Sequence, residues 1–491
     1  MSAILKKRAP LALAVALAIF CAASPLAERR ETHAASSSVD KVVMAGDPAP
    51  GGGTFSDFYG WMLGSDGRVA FLAALSSGEK GIFVASVGQN GGFEASAVAV
   101  TGEPAPGGGT FSDFYPPSIN SAGMVAFTAP STGIFVASPT PSGFQVSRVV
   151  IIGDADPLGG SFRSFGPISL NDVGDVGFTP GSGAGAIYSA SPNIVGGYDV
   201  RLVDLSPFVV CDSRLSLNNS HQVAFLGGNS SGGCGAPNYV IGLSSPNGTQ
   251  GVAYYSNPPF ILDFGLPSLN DAGQVAFTGY CYSFECSHDV VSSNVFLASP
   301  PYGGVDKLAS STDDSSICCQ SLNAVGQVAF VANNFGGYSS GAFLASPSSA
   351  GFVTIKVAAS GDASPVGGTF ASIQFDPSLN ASGQLAFSAG VTGGSSTSGI
   401  FLASPVASPD SPTPTATPTE TPTPPLPDTP EPSPTPTAGR RLQWRRKDGP
   451  RSPVLCRLRQ HLAGAAERRL HRVQLPAVAG LRIAVRLLAG G

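Results

Sequence analysis

A motif of eight residues, Asn-x-x-Gly-x-Val-Ala-Phe, recurs along this chain and constrains its fold more than any other feature. Six copies open with asparagine, at Asn120, Asn171, Asn218, Asn270, Asn323 and Asn380. A seventh copy opens with Gly64, and the closing phenylalanines lie 47 to 57 residues apart. Self-similarity at such a period is typical of solenoids, propellers and other arrays, in which each repeat is one supersecondary unit.

Each repeat carries the signals of short β-strands. Val-Ala-Phe and a second recurring run, Gly-Ile-Phe-Val-Ala-Ser, are rich in β-branched and aromatic residues and are bounded by Gly, Pro, Ser and Asn. Asn-x-x-Gly predicts a turn, because Asn caps the backbone at the first position and Gly suits the fourth. A third element, Gly-Asp-Pro-Ala-Pro-Gly-Gly, predicts a connection, since proline has no N–H for a ladder. The repeats are therefore expected to be all-β.

Four strands in each of seven repeats predict a seven-bladed β-propeller over residues 41–405. In the second repeat, strands are expected at 114–119, 124–129, 133–138 and 145–151. A strand at 41–46 has no blade of its own and the last repeat lacks its fourth strand, so residues 41–46 are expected to complete the seventh blade. The alternatives are an open β-solenoid or tandem small sandwiches, although an open array needs capping units that the sequence does not show.

The repeated Asn, Gly and Phe are predicted to be structural. In the five copies that keep all three they are Asn120, Gly123, Phe127, Asn171, Gly174, Phe178, Asn270, Gly273, Phe277, Asn323, Gly326, Phe330, Asn380, Gly383 and Phe387. His221 replaces the Gly of the fourth copy, and a turn role is expected for it. Acidic residues recur in the Gly-Asp-Pro connections, where they are interpreted as turn caps, with a cation-binding ring as the alternative. They are Asp47, Glu103, Asp154 and Asp362.

Composition and charge argue against several classes of protein. Charged residues are 12% of the chain, about half of the usual ~25%. Residues 1–439 carry 14 Lys and Arg against 30 Asp and Glu. Such an acidic body disfavours nucleic acid, whose phosphates require basic partners. Residues 1–35 predict a signal peptide, with Lys6, Lys7 and Arg8 before an apolar run too short to span a membrane. An exported, monomeric protein without a transmembrane span is expected.

Six of the eight cysteines lie in one stretch: Cys211, Cys234, Cys281, Cys286, Cys318 and Cys319. An even number in an exported protein predicts disulfides, and Cys211–Cys234 and Cys281–Cys286 are the expected pairs. Cys318 and Cys319 are adjacent, and because a vicinal disulfide is strained, they are expected to take other partners. No C-x-x-C pair occurs, so zinc is not expected, and no metal, cofactor or catalytic residue is assigned.

The C-terminal part differs in character from the repeats. Pro, Thr and Ser dominate residues 406–439, which predicts an extended, semi-rigid linker. Residues 440–491 carry 13 Lys and Arg against 2 acidic residues. A one-base shift over Arg441–Gly449 admits Asp-Cys-Asn-Gly-Asp-Gly-Lys-Thr, the start of a calcium loop that resembles those of dockerin modules. Calcium is expected only in that frame; in the present frame the tail is a basic, low-order segment.

The repeats resemble a bacterial family of exported tandem-repeat proteins, named for the NxxGxxAF motif and for a variable C-terminal anchor. The resemblance covers residues 41–405, and the copies containing Gly64 and His221 depart from it. It implies a surface-associated protein, and it supplies no reaction and no catalytic residue.

No catalytic motif lies in a suitable context. Gly228–Gly232 and Gly337–Gly341 match Gly-x-Ser-x-Gly but lie in Gly/Ser loops of an all-β repeat, whereas a hydrolase elbow needs a strand–turn–helix. A polysaccharide hydrolase or lyase needs paired carboxylates. The expected inner-strand candidates for such a pair are Asp263, Asp313, Asp314 and Asp376.

The repeat is most degraded over residues 200–346, so a binding patch is expected on loops of that region. The loops are Cys234–Asn238, Tyr280–His288 and Asn333–Ser340. The leading hypothesis is a non-enzymatic, surface-associated propeller that binds an unknown surface protein or glycan. The alternative is a propeller hydrolase or lyase that acts on polysaccharide.

Overall fold

The computed structural model describes residues 38–180, 186–205, 208–229, 239–254, 263–282, 291–311, 316–393 and 398–404. Within these residues, 29 strands form seven antiparallel sheets, and no helix is present. This part of the chain accordingly holds no helix of the length and hydrophobicity that a membrane span requires.

The strands follow one another in the same order in every sheet, and we number the sheets as blades in chain order. The chain opens with β1 (Ser38–Met44). Blades 1 to 3 are β2 (Phe55–Leu63), β3 (Val69–Leu75), β4 (Lys80–Val87), β5 (Phe93–Val100); β6 (Ser118–Ile119), β7 (Val125–Ala129), β8 (Gly133–Thr140), β9 (Gly143–Ile151); β10 (Ser169–Leu170), β11 (Val176–Phe178), β12 (Ala186–Pro192), β13 (Tyr198–Leu205).

Blades 4 to 7 continue the pattern, with the first strand of blade 5 in two pieces. They are β14 (Phe208–Leu217), β15 (Val223–Asn229), β16 (Tyr239–Ser245), β17 (Gly248–Tyr254); β18 (Asp263–Phe264), β19 (Ser268–Leu269), β20 (Val275–Tyr282), β21 (Val291–Ala298), β22 (Val305–Ser310); β23 (Ser316–Leu322), β24 (Val328–Phe335), β25 (Tyr338–Ser348), β26 (Gly351–Ala359); β27 (Thr369–Leu379), β28 (Leu385–Thr392), β29 (Ser398–Ser404).

The blades form a closed ring. The first strand of each blade contacts the first strand of the next, and β27 of blade 7 contacts β2 of blade 1. The fourth strand of blade 7 is β1, which pairs antiparallel with β29 from Ser38–Ser404 to Met44–Gly399. The predicted fold, a seven-bladed β-propeller, is confirmed.

One predicted strand is shorter than expected. In blade 2 the first strand was expected over residues 114–119, yet β6 spans only Ser118–Ile119. Pro116 and Pro117 precede it, and proline has no N–H to donate to the ladder. The shortened first strand leaves room near the axis for irregular backbone.

The core lies between neighbouring blades, and the Val-Ala-Phe sequence explains how. Successive side chains of a strand point to opposite faces. Val69 and Phe71 of β3 therefore pack towards blade 7, whereas Ala70 and Leu72 pack towards blade 2. In six blades the closing Phe stacks on an aromatic ring of the third strand, as Phe71 does on Phe83 with centroids 5.7 Å apart, whereas Phe225 of blade 4 faces Gly242.

The topology gives the ring two chemically different faces. Every first strand runs to the turn of the repeated motif, which opens with Asn in six blades and with Gly64 in blade 1, so these turns share what we call the turn face. The connections between blades leave the fourth strands and enter the first strands at the opposite end. This second surface, the crossover face, also carries the hairpins between second and third strands, including the predicted loop Asn333–Ser340.

Candidate functional site

The repeated asparagines lie where each first strand turns into the second, and all six are buried. Their side-chain oxygen accepts N–H groups of the same turn: Asn323 Oδ1 accepts from Val325 at 3.2 Å and from Gln327 at 2.9 Å. The Asn323 side-chain nitrogen donates to the Gln327 side chain at 2.8 Å and to the Asn380 carbonyl oxygen of the next blade at 3.0 Å. The Asn323 side-chain amide thus makes its hydrogen bonds to other groups of the protein.

The inter-blade bonds run around the ring in one direction, from each asparagine side chain to the carbonyl oxygen at the same position of the next blade. They join Asn120 to Asn171, Asn171 to Asn218, Asn218 to Asn270, Asn270 to Asn323, Asn323 to Asn380 and Asn380 to Gly64, at 3.0 to 3.3 Å. Gly64 has no side chain. The seam between blades 1 and 2, meaning the contact between these neighbouring blades, therefore lacks this bond.

A serine two residues before each of these asparagines makes a second inter-blade bond. Its hydroxyl oxygen accepts the N–H of a residue in the next blade, at 2.8 to 3.1 Å: Ser118 from Leu170, Ser169 from Leu217, Ser216 from Leu269, Ser268 from Leu322, Ser321 from Leu379 and Ser378 from Leu63. Met62 holds this position in blade 1. No role was predicted for these serines, although the recurrence of Ser-x-Asn in six copies marks them.

The recurring acids of the crossovers have the geometry of turn caps. Each carboxylate accepts the N–H of the residue three positions earlier, at 2.8 to 2.9 Å: Asp47 from Met44, Glu103 from Val100, Asp154 from Ile151 and Asp362 from Ala359. A cation also pairs with three of them: Lys41 with Asp47, Arg148 with Asp154 and Lys356 with Asp362. Among the residues described, no group of three or more His, Cys, Asp or Glu side chains is placed to hold a metal ion.

His221 occupies the glycine position of its turn and bonds the preceding blade. Its φ is 57°, in the region that Gly123 takes at 74° in the second copy. The ring nitrogen Nδ1 lies 2.7 Å from Oδ2 of the buried Asp175 in blade 3, and Arg201 Nη2 lies 3.1 Å from the same nitrogen. These contacts belong to the seam between blades 3 and 4.

A different set of side chains meets at the axis, where four first strands carry bulges, one of them in β2 between Phe58 and Gly60. The pairing register shifts between Val210 and Leu215 in β14, between Cys318 and Ser321 in β23, and between Gln374 and Ser378 in β27. Bulges re-aim side chains and are over-represented beside functional sites.

Arg214 and Asp376 lie in two of these bulges and form an ion pair, with Arg214 Nη1 3.5 Å from Asp376 Oδ2. Blades 4 and 7 are not neighbours, so the two side chains meet in the space that the first strands enclose. Both side chains are about half exposed, and Asp376 has a φ of 35°. A non-glycine residue at positive φ costs conformational energy and often marks a functional segment.

Both residues stand four positions before the repeated Asn, which defines an axial position in each blade. From blade 1 to blade 7 it holds Gly60, Pro116, Pro167, Arg214, Leu266, Cys319 and Asp376. Asp376 was among the predicted site residues, whereas Arg214 was not. The signal that marks Arg214 is its position four residues before the repeated Asn.

The cysteines differ in part from expectation. Cys318 and Cys319 are free thiols, so the disulfides expected for them are not formed in this structure. They are adjacent in the β23 bulge, and a hydrogen bond joins their two thiols. Cys211 is disulfide-bonded. Cys234, Cys286 and the side chain of Cys281 lie outside the described residues, so the two predicted pairings stay predictions.

The four carboxylates proposed for an enzyme are described only in part. Asp376 faces Arg214. Asp263 lies in β18, but its side chain is outside the described part of the chain. Asp313 and Asp314 lie outside the described residues altogether. Of the predicted loops, Asn333–Ser340 forms the β24–β25 hairpin on the crossover face, whereas Cys234–Asn238 and residues 283–288 fall outside the described residues.

A model described as a family of unknown function, DUF7453, matches residues 27–147. No curated protein matches the chain. Among solved structures, the chain is similar to an oligogalacturonate lyase in complex with manganese, at 10% identity and a TM-score of 0.43 over 76% of this chain and 99% of that one. It is also similar to the Dos1 propeller, at 7% identity and a TM-score of 0.36 over 76% and 94%. These likenesses concern the fold alone.

Proposed function

We propose that this protein is an exported, surface-associated β-propeller that binds a protein or glycan ligand without catalysing a reaction on it. The supporting observation is a contrast at the axial position. Blades 1 to 3 carry Gly60, Pro116 and Pro167, whereas blades 4 to 7 carry Arg214, Leu266, Cys319 and Asp376. Blades 1 to 3 build the ring without polar side chains there, so we assign Arg214 and Asp376 to a ligand at the axis.

The chemistry of these residues suits recognition. An exposed guanidinium and a carboxylate side by side offer donors and acceptors to the amides of a protein or to the hydroxyl and acidic groups of a glycan. Hydrolysis of a glycosidic bond uses two carboxyl groups that flank it. Asp376 has a guanidinium beside it instead, which favours binding over acid–base chemistry.

The exported, surface-associated part of the proposal draws on the sequence. A basic start followed by an apolar run is the pattern of a secretory signal. The resemblance to surface-associated repeat proteins and the Pro/Thr-rich linker over 406–439 point to the same location. Cell fractionation with an antibody to the propeller tests this part separately; a cytoplasmic signal contradicts it.

Binding is tested with the full-length chain and an envelope fraction of the producing cells. We expect retention of wild type and at least about tenfold weaker binding for Arg214→Ala and Asp376→Ala, because charge-assisted contacts to a ligand are each worth ~1.5–3 kcal/mol. Arg148→Ala is the matched control, since Arg148 is similarly exposed and pairs with Asp154 away from the axis. Equal binding by all four proteins would refute the axial site.

Two further experiments identify the class of ligand and test whether the protein turns over polysaccharide. Protease treatment of the envelope abolishes binding if the ligand is a protein, and periodate abolishes it if the ligand is a glycan. Incubation with a panel of polysaccharides is expected to release no reducing ends and no unsaturated sugars. Turnover that Asp376→Asn removes would establish the hydrolase or lyase alternative.

A further inference from the structure

Cys318 and Cys319 have no structural reason to be cysteines. The two residues at the same positions are Gly265 and Leu266 in blade 5, and Tyr59 and Gly60 in blade 1, in sheets of the same design. Cys318 is the last paired residue before a bulge in β23 that contains Cys319, and both residues are half-buried rather than sealed in the core. Their type is therefore not dictated by packing.

The bulge brings the two thiols together. In a regular strand adjacent side chains point to opposite faces. Cys319 instead has a φ of 59°, and a hydrogen bond joins its thiol to that of Cys318. Its sulfur also accepts the backbone N–H of Asp376 from blade 7. The thiol pair thus borders the Arg214–Asp376 ion pair at the axis.

We infer that Cys318 and Cys319 form a reversible dithiol–disulfide site, which reacts by exchange with the disulfide of a small molecule or a protein. The inference rests on the proposed function for export to an oxidising compartment, whereas the exchange itself needs no ligand at the axis. Redox-active cysteines are accessible and are often placed beside a second, resolving cysteine. A thiol pair on an exported protein would meet disulfide-forming conditions.

The exchange has two balanced steps. The Cys318 thiolate attacks one sulfur of the incoming disulfide, whose S–S bond breaks and releases one thiol, leaving a mixed disulfide on Cys318. Cys319 then loses its proton and attacks the Cys318 sulfur, forming the Cys318–Cys319 bond and releasing the second thiol. Two protein thiols are oxidised, and one external disulfide is reduced to two thiols.

The surroundings of the two thiols agree with this division of roles. The hydrogen bond from Cys319 lowers the pKa of Cys318, so Cys318 reaches the thiolate form first. The same hydrogen bond, with burial, raises the pKa of Cys319, which therefore acts second. Because the Cys319 sulfur accepts a hydrogen bond from the Asp376 backbone N–H, closing the disulfide is expected to disturb the neighbouring ion pair.

The sequence allows a clean test on the full-length protein. Trypsin cleaves after Lys307 and Lys356, and the peptide between them, residues 308–356, contains no cysteine other than Cys318 and Cys319. The reduced protein is incubated with oxidised glutathione, quenched with an alkylating agent and mapped by mass spectrometry. For wild type we expect this peptide to lose two hydrogens and to carry neither glutathione nor alkyl groups.

Single variants separate the two steps. Cys319→Ser is expected to stop at a stable glutathione adduct on Cys318. Cys318→Ser is expected to react at least about tenfold more slowly, because the remaining thiol is less ionised. Thermal unfolding of both variants checks that they are folded. A glutathione adduct that persists in wild type, a crosslink from this peptide to another cysteine, or two unreacted thiols would each overturn the inference.

Discussion

Six seams of the ring carry paired inter-blade hydrogen bonds, and the seam between blades 1 and 2 carries neither of them. Blade 1 has Gly64 in place of the asparagine and Met62 in place of the serine. Its sheet is nevertheless a four-stranded blade like the others. The comparison teaches that the asparagine is not needed to build a blade, and that its distinctive contribution is to join one blade to the next.

The turn of blade 1 shows how the local role is replaced. Gly64 N–H donates to the Arg68 carbonyl at 2.8 Å, as Asn120 N–H does to Met124 at 3.1 Å. Asp66 Oδ1 accepts the Arg68 N–H at 3.1 Å, which is the cap that Asn120 Oδ1 gives to Met124. A carboxylate two residues on thus substitutes for the amide within the turn, but it makes no bond to blade 2.

Other contacts hold the seam between blades 1 and 2. Lys80 of blade 1 pairs with Asp113 at 2.9 Å. Arg68 lies against Gly123, where a Cβ would meet the guanidinium at 2.3 Å. Both cations are partly exposed, and exposed ion pairs contribute little to stability. This seam is therefore expected to be the weakest in the ring.

The largest expected effect comes from removing a buried asparagine. Asn323→Ala deletes the bond to the Asn380 carbonyl and the caps of Val325 and Gln327, leaving buried groups unsatisfied. We expect the free energy of unfolding to fall by about 2–3 kcal/mol, measured by urea denaturation. Val325→Ala, on the exposed side of the same turn, is the control. Coincident unfolding curves would contradict the inter-blade role.

A smaller loss is expected from the serine bond. Ser268→Ala leaves the Leu322 N–H without the hydroxyl oxygen that accepts it at 3.1 Å. The free energy of unfolding is expected to fall by about 1 kcal/mol. Ser65→Ala, in the exposed part of the blade 1 turn, should leave the urea midpoint unchanged. A loss of stability as large as that of Asn323→Ala would contradict the expectation that the serine bond contributes less than the asparagine bonds.

The converse substitution tests whether the missing bond can be added. Gly64→Asn places an amide where the six other copies have one, and its nitrogen can donate to the Asn120 carbonyl. A Cβ there meets Asp66 Oδ1 at 2.9 Å, and this flexible side chain has to rotate. We expect Gly64→Asn to be about 1 kcal/mol more stable than Gly64→Ala, which adds the Cβ without the amide. Equal stability of the two variants would mean that the bond does not form.

The smallest effect concerns alkaline pH and Tyr198, which packs against the core cluster between blades 2 and 3. Burial, and then the charge of Asp175, raise the pKa of Tyr198 from 10.0 to about 12. The Tyr198 hydroxyl therefore loses its proton at lower pH in the unfolded chain than in the folded one. The contribution of Tyr198 to stability is complete below pH 10 and is lost as the pH rises through the folded pKa of about 12. Between pH 9 and pH 11, the urea midpoint of Tyr198→Phe should fall less steeply with pH than that of wild type. An unchanged slope would exclude Tyr198 as a contributor.

Much of the fold was predictable because the repeat is local. Asn120, Gly123 and Phe127 lie within eight residues, and each acts through turn chemistry or strand alternation that a short segment reveals. The length of β6 was predicted wrongly because the effect of Pro116 and Pro117 on the first strand was overlooked. The bonds between blades were also missed, because they join residues 47 to 58 positions apart, or 315 and 316 positions apart where the ring closes.

The sequence by itself determined most of the strands, the turns, the number of blades and the acidic balance of residues 1–439, since these follow from local composition and periodicity. Only the tertiary structure decided which side chains meet at the axis. Arg214 and Asp376 are 162 residues apart and come from blades that are not neighbours. Ring closure turns the same position of seven separate repeats towards one point, and no local pattern contains that geometry. The thiol–thiol contact of Cys318 and Cys319 was likewise decided by a bulge, because a regular strand would have pointed them apart.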